Sequence, residues 1–255
     1  MDAKTRILEA AADLLARSPD AEVSTRAVCD AAGITMPALY HHFGDKEGLL
    51  SAVVDLGWAR FLERKRALLA RAHDDPIDDL RSGWDNHLAF AREHPNFSRL
   101  MWSAGGVASS AAPREGHEML IAVLERCAQR GRLRVSVGTA ARMLMAAATG
   151  AAMSIISRPE LFADDGFAMH LREALIAGVS APAVASWAKR TRDKTPSPGS
   201  AVSLSAAAAT LSSKLRTEPT ALTDAERAVM QQWLTTLADA PARPDAHRSN
   251  GRKKS

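Results

Sequence analysis

Val23–Leu50 reads VSTRAVCDAAGITMPALYHHFGDKEGLL, and its punctuation predicts two short helices held at a fixed angle. Ser24 is a helix-capping residue type, because its hydroxyl can accept from a backbone N–H of the first turn. Val23 before it and Val28 after it match the hydrophobic staple that sets the entry angle of the chain. Ala32-Gly33 ends this helix, since glycine takes the left-handed conformation of a helix terminus without a Cβ penalty. Thr35 then caps a second helix, Pro37 sits in a first turn where its missing N–H is harmless, and Ile34 with Leu39 repeats the staple. Gly44 and the capping residue Asp45 close it and launch another. Two short helices joined by a tight glycine turn have the geometry of a helix-turn-helix, whose second helix fits a DNA major groove.

The same signals continue on either side. Asp2 caps a first helix over Ala3–Ala16, with Ile7, Ala11, Leu14 and Leu15 on one face, and Ser18-Pro19-Asp20 stops it. That helix supplies packing for the pair after it. A long amphipathic helix over Lys46–Ala72, with Leu49, Val53, Leu56, Phe61, Leu68 and Leu69 as apolar positions, leads to a second domain. From Pro76 the period stays helical. Ile77, Leu80, Trp84, Leu88 and Ala91 form a stripe ended by His94-Pro95, Phe97–Trp102 a short helix, and Gly105–Pro113 a loop. His117–Gln129 and Ala140–Ser157 are helices, the latter apolar almost all round and therefore expected to be buried. Phe167, Leu171, Leu175 and Val179 mark a further helix, and the close-packing helices here suit the halves of a dimer bundle. Beyond a Thr/Lys/Pro/Ser-rich linker, Leu204, Leu211 and Leu215 predict one helix. Thr223 with Glu226 forms a capping box before Val229, Trp233, Leu234 and Leu237. The linear division is a helix-turn-helix domain at 1–47, a larger helical domain at 48–190, the linker at 191–200, a helical appendage at 201–240 and a disordered basic tail at 241–255.

Composition agrees with helix. The chain has 255 residues, 46% hydrophobic and 5% aromatic, and is rich in Leu and Ala rather than in β-branched runs, so the expected fold class is all-α. The net charge of +4 is compatible with an anionic partner, but its distribution does not mark the head. Among the first fifty residues Lys4, Arg6, Arg17, Arg26 and Lys46 are outnumbered by acids, and the excess lies at Arg60, Arg64, Lys65, Arg66 and Arg71 and at Arg248, Arg252, Lys253 and Lys254. Cys29 and Cys127 match no metal or redox spacing and read as reduced, buried thiols. No metal site and no cofactor is expected. The acidic start lacks a signal-peptide pattern, and Met143–Ile156 is too short and too rich in Ala and Gly to span a bilayer, so a cytoplasmic protein is expected.

The stretch quoted first resembles the amino-terminal domain of the tetracycline-repressor (TetR) family. The resemblance rests on the Ser-Thr-Arg start, the Ala-Gly-Ile turn, the Leu-Tyr-His-His-Phe recognition helix and the Asp-Lys-Glu opening of the next helix, in the family's order. It implies a DNA-binding transcriptional regulator, a ligand-responsive repressor that meets a palindromic double-stranded operator as a homodimer. Tyr40 and His42 match the phosphate-contacting positions, with His41 as a neighbour, and Lys46 adds its charge to a helix amino terminus. Thr25 and Arg26 match a site that reaches bases or phosphates, and arginine is the commonest reader of guanine. Thr35, Met36, Pro37 and Ala38 match the amino end of the recognition helix but carry no amide or basic group. Apolar contact of Met36 and Ala38 with thymine methyl groups is the readout left to them.

The resemblance also implies that the second domain senses a small molecule and dimerises. Trp84, His87, Phe90, Phe97, Met101, Trp102, Met119 and Met143 are candidates to line a pocket for a small apolar effector. The same residues at helical spacing also read as ordinary core. A ligand-independent DNA-binding or interaction protein is the alternative function. An enzyme using His87, His94 or His117 ranks third, since no nucleophile, base and orienter share a local signature.

Overall fold

A computed structural model describes residues 2–18, 22–102, 111–162, 164–181 and 203–240. Among these residues the regular structure is helical, apart from one isolated bridge between Leu133 and Ser180. The all-α expectation holds. Of the loop expected over Gly105–Pro113, residues 105–110 lie outside the described residues, as do the linker at 191–200 and the tail at 241–255, whereas residues 111–113 are helical.

Local capping places the first helices. α1 (Ala3–Arg17) begins where the Asp2 carboxylate accepts from the Thr5 N–H at 2.7 Å. α2 (Thr25–Ala32) begins on the Ser24 hydroxyl and ends at Gly33, whose φ of 65° is left-handed. α3 (Met36–Phe43) starts differently from expectation, because Thr35 holds the cap position without a side-chain cap bond. The reason is local: Pro37 has no N–H to offer, and the Ala38 N–H is already taken by the Thr35 carbonyl at 3.1 Å. α4 (Lys46–Leu69) starts on Asp45, which accepts from the Gly48 N–H at 2.7 Å.

The later helices are α5 (Pro76–Glu93), α6 (Pro95–Trp102), α7 (Ala111–Gln129), α8 (Val137–Ser157), α9 (Asp165–Val179), α10 (Leu204–Thr217) and α11 (Asp224–Asp239). α7 opens ahead of the expected His117, so Pro113 lies in its first turn, where proline costs no hydrogen bond. α11 carries the full capping box of Thr223 and Glu226.

The described chain divides into two compact units, along lines other than the linear ones. The first takes Met1–Arg126 and Ala140–Gly178. In it the helix-turn-helix shares a core with the helices that follow. Ile7, Leu15, Val28 and Leu39 are continuous with Val53, Trp58 and Phe61 of α4, Phe90 of α5, and Phe97 and Met101 of α6. Gly57 makes the α4–α6 approach possible: a Cβ there would stand 2.7 Å from Phe97 Cδ1 and 3.0 Å from Met101 Sδ. A second cluster joins Trp84, Leu88 and Ala91 of α5 to Ala148, Ala152 and Ile155 of α8 and Ala168 of α9.

α8 is not buried all round. Ala141, Leu144, Ala148, Ala152 and Ile156 face inward, whereas Met143 and Met145 are 38% and 44% exposed. Hydrophobicity alone does not report which side of an apolar helix finds a partner. The helix that contains Met143–Ile156 runs over 21 residues, Val137–Ser157, and by length and composition alone is long and apolar enough to cross a membrane, although one face of it is buried in the protein core.

The second unit takes Cys127–Thr139 and Val179–Ser255. Its helices α10 and α11 pack through small residues, Ala206, Ala209, Ser212 and Ser213, and through Gln231, whose side-chain N–H donates to the Ser212 carbonyl at 2.8 Å. The expected stripes are mostly outward: Leu204, Leu211, Val229, Trp233 and Leu237 are exposed, and Leu215 and Leu234 are the buried members. Asp239 at the end of α11 accepts from the Ser136 N–H, the Ser136 hydroxyl and the Thr139 hydroxyl, each at 2.9 Å. A carboxylate at the start of α8 also suits the positive end of that helix's dipole. The segment expected as an appendage is thereby tied to residues a hundred positions earlier.

Candidate nucleic-acid interface and apolar cavity

Two features of the first unit have the chemistry of binding sites. One is the outer surface of the head. Arg26, Thr35, Pro37, Tyr40, His41 and Lys46 are exposed, and Thr25, Ala38 and His42 are half-buried. Among the described residues no hydrogen bond or ion pair occupies the side chain of Arg26, Tyr40 or Lys46. Met36 behaves otherwise: it packs against the core, with its Sδ 3.4 Å from Cys29 Sγ. Burial, and then Asp30, pushes the Cys29 thiol upward from the ordinary range, as befits an inert core cysteine.

The basic cluster of α4 is not part of this surface. Arg64 pairs with Glu93 at 2.6 Å, Arg66 with Glu115, and Arg60 lies over the Phe97 ring at 5.6 Å. These cations hold α4 against α5, α6 and α7.

The second feature is a cavity of about 420 Å³, within the size range of small-molecule sites. Its wall includes Trp58, Phe61, Lys65, Leu68 and Leu69 of α4, Trp84 and His87 of α5, Met101 and Trp102 of α6, Leu120 of α7, Leu144 and Ala148 of α8 and Ile176 of α9. The surface is apolar with a few unsatisfied polar atoms. Among the described residues Trp58 Nε1, Trp84 Nε1 and His87 Nε2 are buried without a hydrogen-bond partner, which natural interiors seldom tolerate. The His87 ring stacks on Trp102 with centroids 4.3 Å apart.

Helix α6 links the two features. Asn96 is buried, and its Nδ2 donates to the Leu15 carbonyl at 2.7 Å and the Ser18 carbonyl at 2.8 Å, at the end of α1. Arg99 donates to Asn96 Oδ1 at 2.8 Å and to the Ile156 carbonyl of α8 at 2.7 Å. One turn further on, Met101 and Trp102 face the cavity.

Residues 7–53 match the bacterial regulatory proteins of the tetR family. The amino-terminal domain belongs to the TetR family. Within the curated proteins, the HTH-type transcriptional regulator UidR of Escherichia coli (strain K12) is 34% identical over 70 residues. That match covers 28% of this chain and 36% of UidR, so the chain spans little more than a third of the relative's length. A solved structure concerned with the control of antibiotic production by bacterial hormones is 27% identical, covering 70% of this chain and 97% of that one, with a TM-score of 0.57. FadR from Bacillus subtilis, solved with stearoyl-CoA, shares the fold at 14% identity, 68% and 98% coverage and a TM-score of 0.57. A TetR-type helix-turn-helix followed by a helical domain is the architecture of the chain.

Behind this TetR-family head, the pocket candidates separate. Trp84, His87, Met101 and Trp102 stand in the cavity wall. Phe90 and Phe97, 1% and 2% exposed, are core instead; Met119 packs beside that core, and Met143 points outward. Sequence reasoning missed Trp58, Lys65, Leu68 and Leu69, because α4 was read as a connector and Lys65 as one of five clustered bases.

Desolvation, followed by the charge of Lys65, pulls His87 down to about 4 from 6.5. The folded protein therefore binds fewer protons here than the unfolded chain between those two pH values. This contribution to stability is complete above about 6.5 and is lost as pH falls toward about 4. The unfolding free energy obtained from urea titrations is expected to drop across that window by up to about 1.4 kcal/mol per pH unit, and a His87→Phe protein is expected to show a flatter profile.

Proposed function

We propose that the protein is a ligand-responsive transcriptional repressor that binds a palindromic operator as a homodimer in the cytoplasm, and leaves it when a small effector with an apolar body enters the cavity. The observation that carries this reading is the joining of two sites in one compact unit. α4 runs from Lys46 in the head to Leu68 and Leu69 in the cavity wall, and α6 grips α1 through Asn96 while facing the cavity through Met101 and Trp102. An effector that alters the packing of either helix shifts the balance between head positions, as two-state linkage requires. The relative concerned with bacterial hormones supports a small-molecule input, and UidR supports a regulator rather than an enzyme. The cavity favours this reading over a ligand-independent DNA-binding protein.

Homodimerisation is supported by the outward side of α8 and α9, where Met143 and Met169 are 38% and 48% exposed and Ala146 and Gly150 of α8 are exposed as well. A homodimer that reads two half-sites needs its heads at the spacing of successive major grooves, about 34 Å. In the head, Tyr40, His42 and Lys46 are the proposed phosphate contacts and Arg26 the base reader, with Thr25 and His41 beside them. Met36 is turned into the core, which leaves Ala38, next to Thr35 and Pro37, as the better candidate for a thymine methyl contact.

The test is to sequence DNA fragments retained by the purified protein, then repeat with Tyr40→Ala and Lys46→Ala. The wild type is expected to enrich an inverted repeat. Each variant is expected to weaken binding across all sequences, and Lys46→Ala to lower the salt slope by about one. Undiminished retention by both variants overturns the proposed surface.

A further inference from the structure

The cavity carries charged groups from several helices, and all but one are compensated. Asp79 of α5 is held by Arg126 at 2.6 Å and His73 at 2.7 Å. Arg172 of α9 is held by Asp85 at 2.6 Å and Glu173 at 2.8 Å. His87 of α5 is a neutral imidazole at physiological pH. His117 of α7 has its Nδ1 3.0 Å from Met145 Sδ. Lys65 of α4 stands apart: its ammonium donates to the Gly116 carbonyl at 2.6 Å, and no carboxylate among the described residues pairs with it. Around it the wall offers hydrogen-bond donors without acceptors, the indole N–H groups of Trp58 and Trp84, in side chains 8% and 5% exposed.

We infer that the cavity is built for an amphipathic anion, an effector whose acidic head pairs with Lys65 and accepts from the unpaired donors while its apolar body fills the aromatic and aliphatic wall. This deepens the cavity reading proposed above and rests on it. A neutral apolar molecule leaves a desolvated cation and two indole N–H groups unanswered, whereas an anion supplies the missing partner for each. Desolvation holds Lys65 down at about 8. Neutralising the site therefore restores its ordinary affinity for a proton, and anion binding is linked to proton uptake in mildly alkaline solution.

The experiment uses two fluorescent probes that share one apolar body, the anionic anilinonaphthalene sulfonate and the neutral phenylnaphthylamine, titrated into the full chain. Gly83→Phe supplies the cavity control: Gly83 lines the cavity, and a Cβ there meets nothing within 4 Å, so the phenyl group can fill the space from within α5. The fraction of binding lost in Gly83→Phe is the cavity's share. For that share the sulfonate is expected to bind at least about tenfold more tightly than the neutral probe, the gain of a charge-assisted hydrogen bond. The preference is expected to persist in Lys65→Arg and to vanish in Lys65→Met. It is also expected to fade as pH rises through about 8, since the sulfonate stays anionic while Lys65 loses its charge. Equal affinities in the wild type, or a sulfonate preference that survives Lys65→Met, overturns the anion assignment and leaves the cavity reading standing. Binding of both probes undiminished by Gly83→Phe, or of neither probe to the wild type, overturns the cavity reading and the anion assignment with it.

Discussion

An Asn96→Leu protein is expected to bind the selected operator about tenfold more weakly than the wild type while keeping the same dependence on salt. The Asn96 amide donates to two carbonyls at the end of α1 and accepts from Arg99, which itself reaches the Ile156 carbonyl of α8. Leucine occupies similar volume but offers none of these bonds, so the end of α1 loses its polar anchor to the helix that faces the cavity, while the shared apolar core remains. The phosphate contacts are untouched, and the counterions released on binding stay the same in number. What changes is the free energy needed to place both heads correctly, a coupling term on the order of 1–3 kcal/mol. Salt titration of operator binding separates this outcome from that of Lys46→Ala, which removes a contact. Full affinity in Asn96→Leu means that the clamp does not set the head's position.

The largest loss of stability is expected for Asp79→Leu. The Asp79 carboxylate is 4% exposed and lies 2.6 Å from Arg126 and 2.7 Å from the His73 ring. It also accepts from the His73 N–H at 2.9 Å. Burial raises its proton affinity, yet the bonds from His73 and Arg126 outweigh that and hold the carboxyl below its usual range. Removing one partner of such a pair leaves the other's charge and a backbone donor unanswered, a loss of about 3 kcal/mol. For a chain of this size that corresponds to a melting temperature lower by roughly 6–12 °C. Replacing both partners, Asp79→Leu with Arg126→Leu, is expected to recover most of the difference, because an apolar pair needs no compensation. Calorimetry of the two single variants and the double variant completes the cycle. Additive losses mean that the pair is not coupled.

The head was legible because its determinants are local. A cap bond spans three residues, Gly33 needs only its own dihedral angles, and the recognition helix carries a compact pattern of residue types. Even there, the Thr35 cap is absent for a reason that needs the backbone in hand, the engagement of the Ala38 N–H by a carbonyl. The cavity was legible only in outline. Trp84 and His87, one turn apart, lie on one side of α5, and both reach the wall. Phe90 is on the same helix with the same composition, and it is core.

Period, composition and capping residues by themselves determined that this chain is helical and where most of its first helices begin, and the resemblance carried by Val23–Leu50 implied a TetR-type helix-turn-helix. The tertiary structure alone decided what the long helix after the head is for. Lys65 reads as one of five clustered bases, and it becomes the uncompensated cation of a cavity because Gly116, 51 positions away, accepts its hydrogen bond while Asp79, the carboxylate of the same wall, is held by Arg126 and His73. Asp239 carries no sequence signal of its own, and it ties the last helix to the start of α8. The physical reason is the same in both cases. Backbone conformation is set by neighbours within a few residues, whereas the electrostatic role of a side chain depends on which distant groups the packing brings within hydrogen-bond reach.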